Sequence, residues 1–354
     1  MMTPVKRVNR FFMLLTAPFI GLFICMSWYR PPLQLDLDVG QFTPSSGPVN
    51  ETAALKKELT LAEASAAYTI DAVSASAKLY KETTTTMNKL VETAKTQANR
   101  PELIYNRRIS AKLGIPSEIV TSDRIRVELY RLNPGNYKAY ALKIKLKDPT
   151  AMKMSLAETA SGAETTMHAV QRNGAIAGIN AGGFADQSGK RYPLSTTVVD
   201  GKYLYGFEPT YKDLSFVGLN KSGQLIGGKF YSRAQLDQLD PVFGATFVPV
   251  LLKNNIKTPI PEKWKTSPNR APRTVIGKYK DDQILLFVAD GYNEYGSSGA
   301  QLEEIQNKLS NMGLVDAYNL DGGGSSSLIF NGRVINKPSD GNLRAVPTNF
   351  LFFK

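Results

Sequence analysis

The sequence predicts an α+β fold in which a sheet-dominated, mixed or antiparallel domain with few helices follows a membrane anchor and a long helical segment. Three observations predict it. An uncharged apolar run lies near the N-terminus, a stretch without glycine or proline comes later, and apolar and polar residues then alternate with period two. We therefore divide the chain into residues 1–29, 30–50, 51–100 and 121–354.

The uncharged run covers residues 11–28, which is about the shortest helix that can span a bilayer. Lys6, Arg7 and Arg10 precede it, so the N-terminus should stay in the cytoplasm while the rest of the chain lies outside. No convincing small-residue cleavage site follows the run. We expect an uncleaved, single-pass signal anchor in the cell membrane, with a cleaved signal peptide as the alternative.

A linker and a helix are predicted after the anchor. Residues 30–50 are rich in proline, glycine and serine, which is typical of a linker. Residues 51–100 then space their apolar and small side chains by three or four positions, which indicates a helix with a near-heptad stripe. This helix is either a stalk or homodimerising coiled coil, or a helical hairpin packed on the following domain.

Composition excludes several classes of protein. The 354-residue chain carries a net charge of +12, which suits an anionic envelope polymer, a membrane surface or a nucleic acid. No nucleic-acid-binding motif is present, so we expect no nucleic-acid partner. Cys25 is the single cysteine and His168 the single histidine, which rules out an intrachain disulfide and any two-histidine metal motif.

The elements of the C-terminal domain follow in order. Alternation around Ile125 and Leu142 predicts half-buried strands, whereas the apolar run 284–289 predicts a fully buried strand. Asp-Gly, Ser-Gly and Asn-Gly pairs predict hairpins at residues 200–201, 222–223 and 331–332. Ser-x-x-Glu at 161–164 and Ser-x-x-Gln at 298–301 predict two helices, ending near Gly174 and at Gly313.

Glycine clusters stand where three apolar runs end. They are N-A-G-G-F at 180–184, D-G-Y-N-E-Y-G-S-S-G at 290–299 and D-G-G-G-S-S at 321–326. Strand ends that each carry a polar residue and then glycines predict one shared binding mouth. Glycine exposes backbone N–H groups to an anion, and serine hydroxyls add further donors.

Polar and charged side chains supply further candidates. Asp290 and Asp321 supply paired carboxylates, which can act as acid and base or hold a hard cation such as Ca²⁺ or Mg²⁺ through oxygen. Asn180 is a further oxygen ligand for such a cation. Arg273 could clamp a phosphate with its fork of donors. His168 stands beside a helical apolar stripe and favours a surface or satisfied core position, although we retain it among the substrate-binding candidates.

Each candidate also has a structural interpretation. The D-G-G-G-S stretch could be a hairpin turn, and it is not a Walker A loop because no Gly-Lys-Ser/Thr follows. Arg273 could pair with a structural acid, and Asp290 and Asp321 could each cap a turn.

Five motifs in order resemble one family. They are A-G-I-N-A-G-G-F, A-P-R-T-V-I-G, F-V-A-D-G-Y-N-E-Y-G-S-S-G, D-A-Y-N-L-D-G-G-G-S-S-S and I-N-K-P-S-D-G-N-L-R. Together they resemble the phosphodiester glycosidase domain, whose bacterial members are often linked to exopolysaccharide. The resemblance covers roughly residues 121–354 and implies hydrolysis of a sugar-1-phosphodiester.

The resemblance also implies roles for individual residues. Catalytic roles fall to Asp321, Asp290 and Arg273. Substrate- and phosphate-binding roles fall to Asn180, Gly182, Gly183, Gly322, Gly323, Gly324, Ser325 and Arg344. Apart from the resemblance, we take Asp290 and Asn180 as candidate metal ligands. Two departures from the family pattern are an extra alanine, Ala181, and Tyr292 where arginine is frequent.

We therefore expect a membrane-anchored, extracytoplasmic hydrolase of an N-acetylglucosamine-1-phosphodiester-like bond in a cell-envelope glycan. The alternative is an envelope glycan-binding scaffold that does not turn its ligand over.

Overall fold

A computed structural model describes residues 4–28, 49–159, 161–291 and 299–354, and the chain divides into two compact units, residues 1–89 and 90–354. The helices are α1 (Pro4–Trp28), α2 (Val49–Leu113), α3 (Thr166–Asn173), α4 (Arg233–Asp237), α5 (Glu262–Thr266) and α6 (Leu302–Met312).

The strands are β1 (Glu118–Thr121), β2 (Ile125–Leu132), β3 (Ala139–Leu146), β4 (Met152–Leu156), β5 (Glu164–Thr165), β6 (Ala177–Asn180), β7 (Phe184–Gln187), β8 (Lys190–Pro193), β9 (Val198–Val199), β10 (Lys202–Tyr203), β11 (Ser215–Asn220), β12 (Leu225–Gly228), β13 (Pro241–Phe247), β14 (Val250–Lys253), β15 (Ile256–Lys257), β16 (Arg273–Lys278), β17 (Ile284–Ala289), β18 (Asp316–Leu320), β19 (Leu328–Phe330), β20 (Arg333–Val334), β21 (Ala345–Val346) and β22 (Thr348–Phe352).

The N-terminal unit is helical. Helix α1 contains the predicted span, residues 11–28. Across the part of the chain that the structure describes, no helix combines the length and the apolar character needed to cross a bilayer. The membrane anchor therefore stays a prediction. The predicted linker, apart from its last two positions, lies outside the described residues.

Helix α2 is one continuous element of 65 residues, so this part of the chain is not a hairpin. It runs beyond the predicted end at residue 100 and through Pro101. Large side chains of the apolar stripe are exposed, including Leu59, Tyr80 and Met87. Dimerisation through residues 51–100 stays a prediction.

The C-terminal unit is built from antiparallel sheets. An eight-stranded sheet has the order β1-β2-β3-β17-β16-β18-β14-β15, and two five-stranded sheets have the orders β20-β19-β6-β22-β4 and β10-β9-β13-β11-β12. Every pairing among the described strands is antiparallel. The prediction of a sheet-dominated domain with few helices is therefore confirmed, and the sheet type is antiparallel rather than mixed.

One hydrophobic core joins the three large sheets. Leu286 of β17, Phe350 of β22 and Phe243 of β13 lie in the same buried cluster, and the rings of Phe243 and Phe350 are 5.9 Å apart. A second cluster lies on the other face of the eight-stranded sheet, where α6 and the end of α2 pack. Both faces of β17 are therefore covered, which explains its unbroken apolar run.

The last turns of α2 also cover charged residues of β2 and β3. Lys143 of β3 is buried and lies 2.9 Å from the Glu128 carboxylate of β2. Its amine also donates to Asn106 at 2.7 Å and to Ser110 at 3.1 Å, both on α2. The alternation around Leu142 predicted a solvent-facing lysine, and the structure corrects this because α2 supplies polar partners that compensate burial.

Both helices start later in the chain than the predicted capping boxes at Ser161 and Ser298. Helix α3 is capped by Thr165, whose hydroxyl accepts from the His168 N–H at 3.2 Å, so it starts after the predicted Ser-x-x-Glu box. Helix α6 is capped by Gln301, and the side chain of Glu304 accepts from the Gln301 N–H at 3.0 Å. Glycines in the left-handed conformation end both helices, as expected.

Candidate active site

Asp321 follows β18 directly and is the centre of the candidate site. Its backbone N–H donates to the Ala181 carbonyl at 3.1 Å, which joins the end of β18 to the end of β6. One carboxylate oxygen, Oδ2, is buried and has no hydrogen-bond partner among the described residues. Burial raises the pKa of Asp321 to about 6. A buried carboxylate without a hydrogen-bond partner destabilises the folded state, and proteins retain such groups mainly at functional sites.

Four groups act against this rise. The Ser325 hydroxyl, the positive charges of Arg344 and Arg191, and the Gly322 N–H all lower the pKa of Asp321. Two arginines and a serine hydroxyl therefore surround one half-desolvated carboxyl. An anionic ligand would meet two cations here, next to a group that can exchange a proton near neutral pH.

The glycines of the 321–326 loop serve three different purposes. A side chain at Gly322 would come within 2.9 Å of the Pro272 carbonyl. Gly323 has a left-handed φ of 60° and donates its N–H to the same carbonyl at 2.9 Å. At Gly324, a side chain would collide with the Asp340 carboxylate and the Arg344 guanidinium. The run therefore fixes a tight turn and leaves room for the arginine.

Arg344 reaches the loop from the segment before β21. Its Nη2 donates to Asp340 at 2.6 Å and its Nη1 to the Ser325 hydroxyl at 3.4 Å. The Arg344 side chain keeps 36% of its surface exposed, so a ligand can reach it. The sequence motif ending in Arg344 thus lies in space beside the motif that begins with Asp321.

Arg191 of β8 is a site residue that the sequence analysis missed. Its guanidinium stacks on the Phe184 ring at 4.6 Å, pairs with Asp186 at 3.0 Å and donates to the Ala345 carbonyl. These contacts place its charge at the Ala345 carbonyl and close enough to lower the pKa of Asp321. No motif marks Arg191, since it stands in a short polar hairpin.

Asp290 lies at the same edge of the eight-stranded sheet as Asp321. Strand β16 separates β17 from β18, and Arg273 is paired with Ala289 while Thr274 is paired with Leu320. The Asp290 carboxylate accepts from the Lys337 N–H at 2.8 Å, and burial raises its pKa. One strand, β16, thus lies between the strands that carry the two carboxylates along this edge.

Arg273 of β16 is buried, and its guanidinium donates to backbone carbonyls. It donates to the Ala300 carbonyl at 3.4 Å and to the Pro268 carbonyl at 2.9 Å, and burial lowers its pKa to about 10. Its neighbour Thr274 points to the opposite face of β16, toward Asn180. The Arg273 side chain lies close to the loop, since a side chain at Gly322 would come within 3.9 Å of the Arg273 Cδ. The assignment of Arg273 to the phosphate stays a prediction.

Asn180 joins three segments of the core. Its amide donates to the Asp321 carbonyl at 2.6 Å and accepts from the Thr274 hydroxyl at 3.1 Å and the Ser327 N–H at 3.0 Å. The side chain is fully buried and its hydrogen bonds are already made. Asn180 therefore supports the Asp321 loop, and its contact with phosphate or metal stays a prediction.

Gly182 and Gly183 pack against β13 instead of opening toward a ligand. The Gly182 N–H donates to the Thr348 hydroxyl at 3.2 Å, and the Gly183 N–H donates to the Thr246 carbonyl at 3.1 Å. A side chain at Gly182 would meet Ala245 at 2.7 Å. These glycines permit close packing of two strands, and their phosphate-binding role stays a prediction.

His168 belongs to a surface cluster. Its Nδ1 lies 2.7 Å from the buried Glu164 carboxylate, which also pairs with Arg172 at 2.6 Å, and 58% of the histidine side chain is exposed. The histidine thus has a structural partner outside the Asp321 loop. Tyr292 lies outside the described residues.

No metal centre is evident in the described ranges. Within them, no group of three or more histidine, cysteine or acidic side chains gathers in a way that could hold a metal ion. The divalent cation at Asp290 and Asn180 stays a prediction.

The arrangement defines a class of site. A buried carboxyl with a raised pKa, a glycine-serine loop and two arginines suits a ligand that carries a phosphate. The sequence profile of the phosphodiester glycosidase family matches residues 173–353, and the chain therefore belongs to this family of glycosidases.

Known relatives agree with this assignment. The chain is similar to N-acetylglucosamine-1-phosphodiester alpha-N-acetylglucosaminidase of human, with 31% identity over 137 residues, or 35% of this chain and 26% of the relative. The mouse enzyme of that name is 41% identical over 68 residues, 19% of this chain and 13% of the relative. The matched segments thus span about a quarter or less of the length of these relatives.

A solved structure extends the comparison to the fold. The catalytic domain of the zebrafish enzyme of the same name superposes with a TM-score of 0.54 at 21% identity, covering 68% of this chain and 87% of that one. At this identity the likeness concerns the fold alone.

Proposed function

We propose that the chain hydrolyses a sugar-1-phosphodiester, of the N-acetylglucosamine-1-phosphodiester type that its relatives are named for. One observation carries the proposal beyond family membership. It is the buried, unpartnered Asp321 carboxyl, held next to the two cations Arg344 and Arg191.

The proposed reaction breaks the bond between the anomeric carbon and the phosphate oxygen. Water supplies the new oxygen on the sugar, its proton passes to the Asp321 carboxylate, and the bonding electrons leave with the phosphate. The products are the free sugar and a phosphomonoester. A phosphate is already a good leaving group at neutral pH, so stabilising its charge matters more than protonating it.

The side chains divide this work. Arg344 and Arg191 bind the phosphate, and the Ser325 hydroxyl adds a donor beside Arg344. Asp321 is the base, and its pKa of about 6 leaves it ionised at neutral pH yet basic enough to accept a proton. Asp290, which is buried with a raised pKa at the same sheet edge, is the second acid that we place in the site.

A substrate panel tests the proposal. The full chain is incubated with sugar-1-phosphodiesters, UDP-N-acetylglucosamine among them, and the released sugar is measured with and without a chelator. Asp321→Asn should lower kcat by about a thousandfold while the fold is retained. Asp200→Asn, in an exposed hairpin turn where asparagine tolerates the same left-handed backbone, is the matched control.

Each result has a clear meaning. Sugar release that Asp321→Asn abolishes and Asp200→Asn leaves intact supports the glycosidase. Loss of release in the chelator lane would establish the divalent cation. No release from any substrate, together with retained glycan binding, would refute the enzyme and favour the envelope glycan-binding scaffold.

The cellular setting is a further part of the proposal. We propose an extracytoplasmic enzyme, anchored through residues 11–28, that acts on envelope glycan or exopolysaccharide. The net charge of +12 supports attraction to anionic envelope polymers. Protease protection of membrane vesicles would test the orientation, and full recovery of the uncleaved chain without membranes would count against the anchor.

A further inference from the structure

A cleft beside the candidate site has no role in the reaction described so far. It encloses about 220 Å³ between β8, the end of β4, the loop that precedes β5 and the turn after β10. We call it the β8 cleft, lined by Thr159, Lys190, Arg191, Tyr192, Leu204 and Tyr205 together with neighbouring apolar residues. Its volume suits one small ring rather than a large ligand.

The loop before β5 is fixed against β8, so the cleft has firm walls. The Arg191 N–H donates to the Ser161 carbonyl at 2.9 Å. Gly162 has a left-handed φ of 65°, and a side chain there would lie 2.6 Å from the Arg191 carbonyl. Glycine is therefore needed for the loop to approach β8 this closely.

The cleft is positively charged. Lys190 and Arg191 are the charged residues that line it, and both are basic. Within the described chain, the Lys190 amine makes no ion pair or hydrogen bond, and its side chain is exposed. An uncompensated lysine beside a concave wall favours a negatively charged ligand.

Aromatic rings form the other part of the wall. Tyr192 and Tyr205 pack edge to face with their centroids 6.2 Å apart. Tyr205 nevertheless keeps 64% of its surface exposed, although it is large and partly apolar. A flat exposed ring held by a second ring offers a surface on which a sugar or base can stack.

Arg191 connects the β8 cleft to the proposed reaction centre. Arg191 lines the cleft, and its guanidinium donates to the carbonyl of Ala345, the residue that follows Arg344. The charge of Arg191 also acts on Asp321. A phosphate bound between Arg344 and Arg191 would therefore have one of its two substituents at the mouth of the cleft.

We infer that the β8 cleft binds the leaving-group side of the phosphodiester and selects a group that presents a ring and a further negative charge, as a nucleoside phosphate does. Tyr205 stacks on the ring and Lys190 binds the charge. This inference rests on the proposed function, because it assigns the sugar to the other side of the phosphate.

Two substrates and two variants test it. In the full chain, kcat and KM are measured for UDP-N-acetylglucosamine and for the methyl diester of N-acetylglucosamine-1-phosphate, which lacks both ring and second charge on the leaving side. Lys190→Gln and Tyr205→Ala should each raise KM for the UDP-sugar about fivefold and leave the methyl diester unchanged. Lys280→Gln and Tyr211→Ala, at exposed positions outside the cleft, are the controls.

The outcomes separate this inference from the function. Equal effects on both substrates, or no effect on either, would overturn the cleft assignment while leaving the glycosidase intact. If no substrate is hydrolysed at all, the proposed function fails, and titration with uridine monophosphate then tests the cleft alone. Binding that Lys190→Gln and Tyr205→Ala weaken supports the cleft, and equal or absent binding overturns it.

Discussion

Gly324→Ala is the sharpest test of the site, because one methyl group should remove an arginine from it. A Cβ at this position would overlap both the Asp340 carboxylate and the Arg344 guanidinium. These are the ends of two flexible side chains, so they can move away without disturbing the backbone. The substitution should therefore displace Arg344 from Ser325 while the loop keeps its course.

The structure indicates how large each effect should be. The Arg344–Asp340 pair is 36% and 44% exposed, so its loss should cost at most about 1 kcal/mol of stability. Removing a cation from a developing phosphate charge should instead lower kcat/KM about a hundredfold. The expected result is a nearly unchanged melting temperature with a large loss of activity.

The adjacent glycine supplies the control. Gly323→Ala places a side chain at a left-handed φ of 60°, which should cost about 1 kcal/mol, yet nothing lies near its Cβ. Gly323→Ala should thus be slightly less stable and still active. Sugar release and thermal melting are measured for both variants. If Gly324→Ala retains as much activity as Gly323→Ala, Arg344 does not act on the phosphate.

Three further predictions concern acid–base balance and support of the loop. The folded-state pKa of Asp321, about 6, exceeds its unfolded value of 3.8, so its contribution to stability is present below pH 4 and lost as the pH rises through 6. Asp321→Asn should therefore gain up to about 3 kcal/mol over the wild type between pH 4 and 7 in urea unfolding, and parallel curves would contradict this. Because the Arg191 charge lowers the Asp321 pKa, Arg191→Gln should move the acidic limb of the kcat/KM profile to higher pH, whereas Arg191→Lys should leave it near 6. Asn180→Ala should cost about 3 kcal/mol in urea unfolding, since three hydrogen bonds are lost in a buried site, and exposed Asn307→Ala should cost far less.

Local sequence patterns were sufficient to predict several secondary-structure elements and some residues of the candidate site. Asp-Gly at 200–201 and Asn-Gly at 331–332 form hairpin turns with positive φ at both positions, as the pairs predict. The apolar run 284–289 is a fully buried strand. Asp321 and Arg344 could be predicted as partners in one site because each stands in a recognisable motif.

The positions of other residues depend on tertiary packing, which short sequence motifs do not determine. Arg273 stands in a motif, but which face of β16 it occupies follows from the pairing of three strands. Lys143 is buried because α2 lies over it with Asn106 and Ser110. Arg191 enters the site only because the β7–β8 hairpin folds back on the segment after Arg344, and a polar hairpin carries no signal of that contact.

The glycine-serine loop holds the Asp321 carboxyl, a group that destabilises the folded state. Burial keeps the Asp321 carboxyl away from water, and its Oδ2 lacks a partner among the described residues, which together work against folding at neutral pH. The Asn180 amide donates to the Asp321 carbonyl, and Gly324 leaves room for the Arg344 guanidinium. The surrounding hydrogen bonds therefore stabilise the loop while the carboxyl itself is left free, so a variant that removes the carboxyl should be more stable and less active.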